Sequence, residues 1–243
     1  MAADIEIHRT DYLLHTAAVA SHKLCDEQPE LATAINAQAT KIIARACQQA
    51  GTKLIYISTD SVFSGVTTKS RHAGNYSESD VPDPNSTYGA TKLEGEVNAL
   101  LETDPLIIRT NFYGWSPTHT RSILEFFVNS LSHNVPVQGF TNVITTSLYA
   151  QTLVNLIWQL KRATGVFHVT SSDALTKFEF GKTVAKEFGL PAGLISAVEA
   201  PVSKDISLNT EKLARFLGIQ IETQHQGILL AHEQQLWQRG VST

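Results

Sequence analysis

Tyr88 and Lys92 stand four residues apart in "STYGATKLEGE", residues 86–96, a stretch that reads as the start of a helix. Positions i and i+4 share a helix face, so the phenol and the ammonium project to one side, a turn apart. A free phenol titrates near about pH 10, and a neighbouring cation favours its phenolate. A phenol tuned in this way can protonate a carbonyl oxygen while hydride arrives at the carbon. The same spacing also suits a packed tyrosine beside a solvated lysine. Two further stretches supply context. "ISTDSVF", residues 57–63, ends an apolar run, and ligands of open α/β sheets sit at the carboxyl ends of strands. That directs the hydroxyls of Ser58 and Thr59 toward the same carbonyl oxygen, although such residues also simply end strands and open turns. "IIRTNFYGW", residues 107–115, is another strand running into a polar and aromatic turn at the same edge, with aromatics that suit a pocket wall or a core.

The elements that must position these groups alternate. "DYLLHTAAV" is a buried strand ending near His15, followed by a helix in "PELATAINAQATKIIARACQQAG" between Pro29 and Gly51. In that helix Leu31, Ile35, Ile42, Ile43 and Ala46 fall at helical spacing. "KLIYIST" is rich in β-branched residues and apolar on both faces, as a buried parallel strand is. A loop of about thirty residues follows, a length that in compact domains is usually functional. A helix from Thr87, the strand "LIIRTN", the helix "RSILEFFVNSLSHN" with Phe126, Phe127 and Leu131 inward, and the extended "VPVQGF" come next. "LYAQTLVNLIWQLKRA" is helical, "GVFHVTS" a strand, and "TKFEFGKTVAKEFG", "SLNTEKLARFLG" and "ILLAHEQQLWQRG" close the chain helically. The pattern predicts an α/β fold: an incomplete Rossmann-like doubly wound parallel sheet with a smaller C-terminal substrate-binding lobe. Residues 1–112 form the partial dinucleotide-binding domain and 113–243 the substrate lobe, with segments around 140–172 returning to the sheet.

Composition narrows the function classes. A chain of 243 residues, 42% hydrophobic, has enough apolar material for a real core. A net charge of −4 with scattered cations offers no basic stripe, so nucleic acid is not an expected partner. Two cysteines, Cys25 and Cys47, fit inert thiols in a reducing compartment. No apolar run approaches a membrane span, and "MAADIEIHRTD" lacks a signal-peptide pattern, so a cytoplasmic protein is expected. His8, His15 and His22 recur every seven residues but span a strand and a loop, so no metal site is expected from them.

Taken together, "YISTDSVFSG", "YSESDVPDPNSTYGATKLEGE" and "LIIRTNFYGW" resemble the extended short-chain dehydrogenase/reductase family, and within it sugar-nucleotide reductases of the dTDP-4-dehydrorhamnose type. The resemblance runs from Tyr12 to Gly218 and takes in "CDEQPELATAINAQATKIIARAC" and "ISLNTEKLARFLG". It implies NADP or NAD as cofactor and a nucleotide sugar as substrate. It makes Tyr88 the proton donor, Lys92 the group that lowers the tyrosine pKa and holds the nicotinamide ribose, and Thr59 the substrate-carbonyl partner. Ala17, Ala18, Asn36, Ser58, Arg109 and Thr110 fall on the cofactor side. Asp60, Ser61, Asn111, Phe112, Arg121 and Lys204 fall on the substrate side. Ser61 stands where the family usually has an aromatic, and Phe112 where some of its reductases have tryptophan.

One family feature is missing. Dinucleotide binding in this fold uses a glycine-rich turn that lets backbone approach the pyrophosphate at a helix N-terminus. No glycine occurs here before Gly51. The expectation is a chain recorded without the first three strands of its family's fold, binding nicotinamide weakly or not at all. Baring roughly 500 Å² of apolar sheet at about 25 cal/mol per Å² costs on the order of 12 kcal/mol, so a second copy or another partner should cover that edge. A non-catalytic sugar-nucleotide-binding or regulatory protein is the alternative to a reductase, and retention of Tyr88 and Lys92 argues for chemistry.

Overall fold

The computed structural model describes residues 10–67, 73–238 and 240. In chain order it begins with β1 (Tyr12–His15), α1 (His22–Glu27), α2 (Pro29–Thr33), a π-helical turn (Ala34–Gln38), α3 (Ala39–Ala50) and β2 (Lys53–Thr59). A short 3-10 turn (Asp60–Val62), α4 (Thr87–Glu102), β3 (Leu106–Thr110), β4 (Phe112–Tyr113), α5 (Ile123–Ser132) and β5 (Val137–Phe140) follow. Then come β6 (Val143–Thr145), β7 (Leu148–Tyr149), α6 (Ala150–Leu160), β8 (Gly165–His168), β9 (Leu175–Thr176) and α7 (Lys177–Glu187). The chain closes with β10 (Ile195–Val198), β11 (Lys204–Asp205), α8 (Glu211–Leu217) and α9 (Gln224–Gln238). Two compact units emerge: one holds the residues up to Ser64, Ser77–Thr110 and Ile157–Val169, the other Gly65–Tyr76, Asn111–Leu156 and the residues from Thr170 on.

The first unit is an α/β layer built on a parallel sheet in the order β1-β2-β3-β8. The register pairs Tyr56 with Ile107 and Thr59 with Thr110, so the carboxyl ends of β2 and β3 finish level. Leu54, Ile107 and Ile108 are fully buried, the arrangement expected of parallel strands covered on both faces. β1 pairs with β2 alone among the described residues, and Leu14 on it is exposed. Helix α4 packs against α3 and the π turn. It does so through Gly95, where a Cβ would lie 2.4 Å from the Tyr56 hydroxyl and 2.5 Å from the Asn36 carbonyl. The π turn corrects the sequence reading of this helix. One extra residue per turn shifts the phase of the buried stripe. Ala32, Asn36, Thr40, Ile43, Ala44 and Cys47 face inward, whereas Leu31 and Ile42 are exposed.

The second unit joins small strand pairs, β5 with β10, β4 with β7, and β6 between β11 and β9, to helices α5, α7 and α9. Tyr113, Leu124, Phe127, Leu131, Phe180, Val184 and Ile228 form its core. Helix α5 starts at a capping box, Ser122 with Glu125, that fixes its entry. Phe127 and Leu131 point inward as the pattern predicts, but Phe126 is 48% exposed. The apolar face of α5 is set by Leu124, Phe127, Val128 and Leu131, and Phe126 falls one position off that stripe. Among the described residues no helix is long and apolar enough to cross a membrane.

Candidate active site

All parts of the Tyr-Lys arrangement lie in the first unit. At the rim of β2 the chain leaves the sheet through Thr59, whose Oγ1 accepts the Ser61 N–H at 3.1 Å and donates to Asp60 Oδ1 at 3.1 Å. Asp60 also accepts from the Ser61 hydroxyl, so this turn is tied together by its own side chains. Helix α4 begins at Ser86, whose Oγ accepts the Gly89 N–H at 3.1 Å. Gly89 lets that first turn reach the β2 rim: a Cβ there would lie 2.1 Å from the Ser61 carbonyl oxygen. The result brings the Tyr88 phenol close to the Thr59 side chain, which favours its phenolate.

Lys92 lies one turn further along and is 2% exposed. Its Nζ donates to the Ile57 carbonyl at 2.7 Å and sits 4.0 Å above the Tyr56 ring centroid. Burial lowers the lysine pKa to about 8, with Glu96 opposing that shift. The tyrosine runs against the resemblance. Burial pushes Tyr88 up to about 12, helped by Asp60 and Cys25, while the neighbouring Thr59 side chain pulls the other way. The expected lowering of the phenol pKa by Lys92 is therefore not found. The ammonium is engaged with a backbone carbonyl and an aromatic face, and desolvation of the phenol outweighs any field it exerts.

Asn36 occupies the π turn, a feature that often marks functional sites. Its Oδ1 accepts the Val19 N–H at 2.8 Å, and its Nδ2 donates to the Val19 carbonyl at 3.2 Å and to Thr91 Oγ1 at 3.0 Å. This one amide clamps the turn holding exposed Ala17 and half-buried Ala18 to the helix that carries Tyr88 and Lys92. Ser58 Oγ points to Glu96, and Arg109 is locked on the same carboxylate with Nη2 2.7 Å from Oε2. Thr110, in register with Thr59, is buried.

The other residues that the resemblance puts on the substrate side belong to the second unit. Asn111, Phe112 and Arg121 line a hollow of about 200 Å³ together with Ser147, Lys177 and Gln224. Ser147 Oγ donates to Asn111 Oδ1 at 3.1 Å, and Glu125 accepts the Arg121 N–H at 2.8 Å, which fixes the backbone there. Lys204, on β11, pairs with Val143 of β6 and is not part of that lining. Sequence reasoning missed Lys177, Gln224 and Glu96, and it missed the contact of His22 with Tyr88, whose ring centroids lie 4.9 Å apart. His15 Nε2 is 3.0 Å from Thr40 Oγ1, and His8 lies outside the described residues. Among the described residues no group of three or more His, Cys, Asp or Glu is placed to hold a metal.

An interior parallel strand ending in Thr59, beside a helix that carries Tyr88 and Lys92, defines a protein of Rossmann-like fold. The chain belongs to the family described as the RmlD substrate binding domain, whose model matches residues 1–235. It is 31% identical over 200 residues to the probable low-salt glycan biosynthesis reductase Agl14 of Haloferax volcanii, covering 79% of this chain and 65% of that protein. It is 29% identical over 224 residues to the methionine adenosyltransferase 2 subunit beta of Rattus norvegicus, covering 85% of this chain and 65% of that one. It thus spans just under two thirds of the length of either relative. Its fold matches that of dTDP-4-dehydrorhamnose reductase from Bacillus anthracis in complex with NADP. The TM-score is 0.85 at 23% identity, over 96% of this chain and 82% of that one.

Proposed function

We propose that this chain carries the proton-donating and substrate-recognising residues of an NAD(P)H-dependent reductase of a 4-keto nucleotide sugar. The observation that supports this reading is the buried Tyr88 phenol beside Thr59 at the β2 rim, with the buried Lys92 ammonium one helical turn away on the same helix. A phenol held near pKa 12 is fully protonated at neutral pH, the form a proton donor must have before the reaction begins.

The residues present fit the nicotinamide-ribose end of a dinucleotide. An ammonium has three N–H donors, and the Lys92 bond to Ile57 uses one, which leaves donors for a ribose diol beside Tyr88. Asn36 fixes the Ala17–Val19 turn that would face it. The pyrophosphate end finds no glycine-rich turn: the first glycine, Gly51, caps the C-terminus of α3 at φ 69°. Nicotinamide binding by this chain is accordingly proposed to be weak. A bound reduced nicotinamide would supply a hydride to the carbonyl carbon. Tyr88 would give its hydroxyl proton to the carbonyl oxygen, Thr59 would orient that oxygen, and the Lys92 charge would stabilise the phenolate left behind.

Asp60 and Ser61, beside Thr59, are proposed to face the sugar. The hollow with Asn111, Phe112, Arg121 and Lys177 joins two cations to an aromatic face, which suits the diphosphate or base of a nucleotide. At about 200 Å³ it would take one such piece, since sites for whole drug-sized ligands run to about 300–1,000 Å³. Lys204 is proposed as a further cation for the nucleotide. A regulatory reading has the similarity to a subunit of another enzyme in its favour. Mixing the protein with a dTDP-4-keto-6-deoxy sugar and NADPH separates the two: reduced sugar recovered in step with oxidised nicotinamide supports the reductase, and tight sugar-nucleotide binding without reduction supports the regulator.

A further inference from the structure

Helix α4 carries a third polar residue on the face of Tyr88 and Lys92. Glu96 falls one turn beyond the lysine and is 2% exposed. Its Oε1 accepts from Ser58 Oγ at 2.5 Å and from Arg109 Nε at 3.0 Å, and its Oε2 accepts from Arg109 Nη2 at 2.7 Å. Ser58 is the residue before Thr59 on β2, and Arg109 is its register partner on β3. One buried carboxylate thus ties the helix of the proton donor to the rims of two strands.

A buried ion pair is weak evidence for stability, because desolvation of both charges offsets their attraction and well-packed apolar residues often serve as well. The position of this pair calls for another role. Lys92 is enclosed by the Tyr56 ring, the Ile57 carbonyl and His15, with Tyr88 one turn before it on the helix, and none of these supplies a full negative charge at neutral pH. We propose that Glu96 is a positioning residue of the reductive site: through Ser58 and Arg109 it sets helix α4 against the β2 and β3 rims, and it is the buried counter-charge of the Lys92 ammonium. The inference rests on the reductase reading for what Lys92 does. Burial depresses the Lys92 pKa, and Glu96 is the group that works against that depression.

The test is a ¹⁵N-lysine NMR titration of the full chain, with the Lys92 signal assigned by its loss in Lys92→Met. In Glu96→Gln the Lys92 midpoint is expected to fall by about one pH unit, as loss of a nearby opposite charge requires. That variant leaves Arg109 buried without a counter-charge and can fail to fold. The double variant Glu96→Leu/Arg109→Met removes both charges together and is expected to fold with a midpoint lowered by a smaller amount, since the Arg109 cation that opposes the ammonium is lost as well. A folded variant of either kind whose Lys92 titrates where it does in the unsubstituted chain overturns the proposal. Failure of the double variant to fold overturns it too, since the pair would then be structural. Absence of sugar reduction by the unsubstituted chain, with the Lys92 shift intact, would sink the reductase reading and leave this one standing.

Discussion

The Tyr88 phenol and the Thr59 side chain are neighbours across the gap between the first turn of a helix and the last residue of a strand. The Thr59 side chain is the group that holds the phenol pKa down against burial. Thr59→Val should therefore raise the Tyr88 titration above its value of about 12, seen in the phenolate ultraviolet absorbance, and slow turnover by about 100-fold as an orienting donor is lost. An unchanged phenol titration would separate the two side chains.

Lys92 carries the next expectation. Its folded pKa of about 8 lies below the unfolded value of 10.5, so the protonated form is disfavoured by folding. The stability attached to this group is present above the unfolded pKa and lost as pH falls through the folded one, which makes the buried ammonium a cost at neutral pH. Lys92→Met should thus raise stability at pH 7 by about 1–2 kcal/mol in urea unfolding while removing activity, the trade expected of a residue kept for function. In the unsubstituted protein, turnover should decline as pH rises past about 8, where Lys92 loses its proton.

Acid should act through His15. Burial, and then the Lys92 charge, hold its pKa at about 4 against 6.5 in the unfolded chain. The unfolded state binds the proton first, so stability present above pH 6.5 is lost as pH falls toward 4. By pH 5 this amounts to about 2 kcal/mol, and His15→Asn should flatten the urea midpoint between pH 7 and pH 5.

Gly89 tests the close approach of helix and strand. With a Cβ 2.1 Å from the Ser61 carbonyl, Gly89→Ala must displace either the helix start or the β2 rim. The expected cost is about 1–3 kcal/mol in thermal or urea unfolding, with turnover falling further than stability because the displaced residue is Tyr88.

Much of this was legible in the sequence because it follows from periodicity. Helical spacing puts Tyr88 and Lys92 on one face, and the strand "KLIYIST" must deliver Thr59 to the sheet edge. What stayed hidden depends on contacts between distant residues. Glu96 reads as an ordinary surface acid in "KLEGE", and only the arrival of Ser58 and Arg109 makes it a buried junction. The π turn at Ala34–Gln38 shifts the phase of a helix whose apolar spacing looked regular, which exposes Ile42. Strands β6, β10 and β11 are two to four residues long and gain their pairing from remote partners, so no alternation announces them. The pKa of Tyr88 was misjudged because a neighbouring lysine is visible in sequence, while the burial of the phenol and the carbonyl that engages the lysine are not.

The central claim is that Tyr88 protonates the oxygen of a keto sugar. Its most direct test follows nicotinamide absorbance with NADPH and a dTDP-4-keto-6-deoxy sugar, for the protein and for Tyr88→Phe. The account expects sugar-dependent oxidation at high nicotinamide concentration, reduced by at least about 100-fold in the variant. Equal turnover in Tyr88→Phe, or no sugar-dependent oxidation at any nicotinamide concentration, would contradict it.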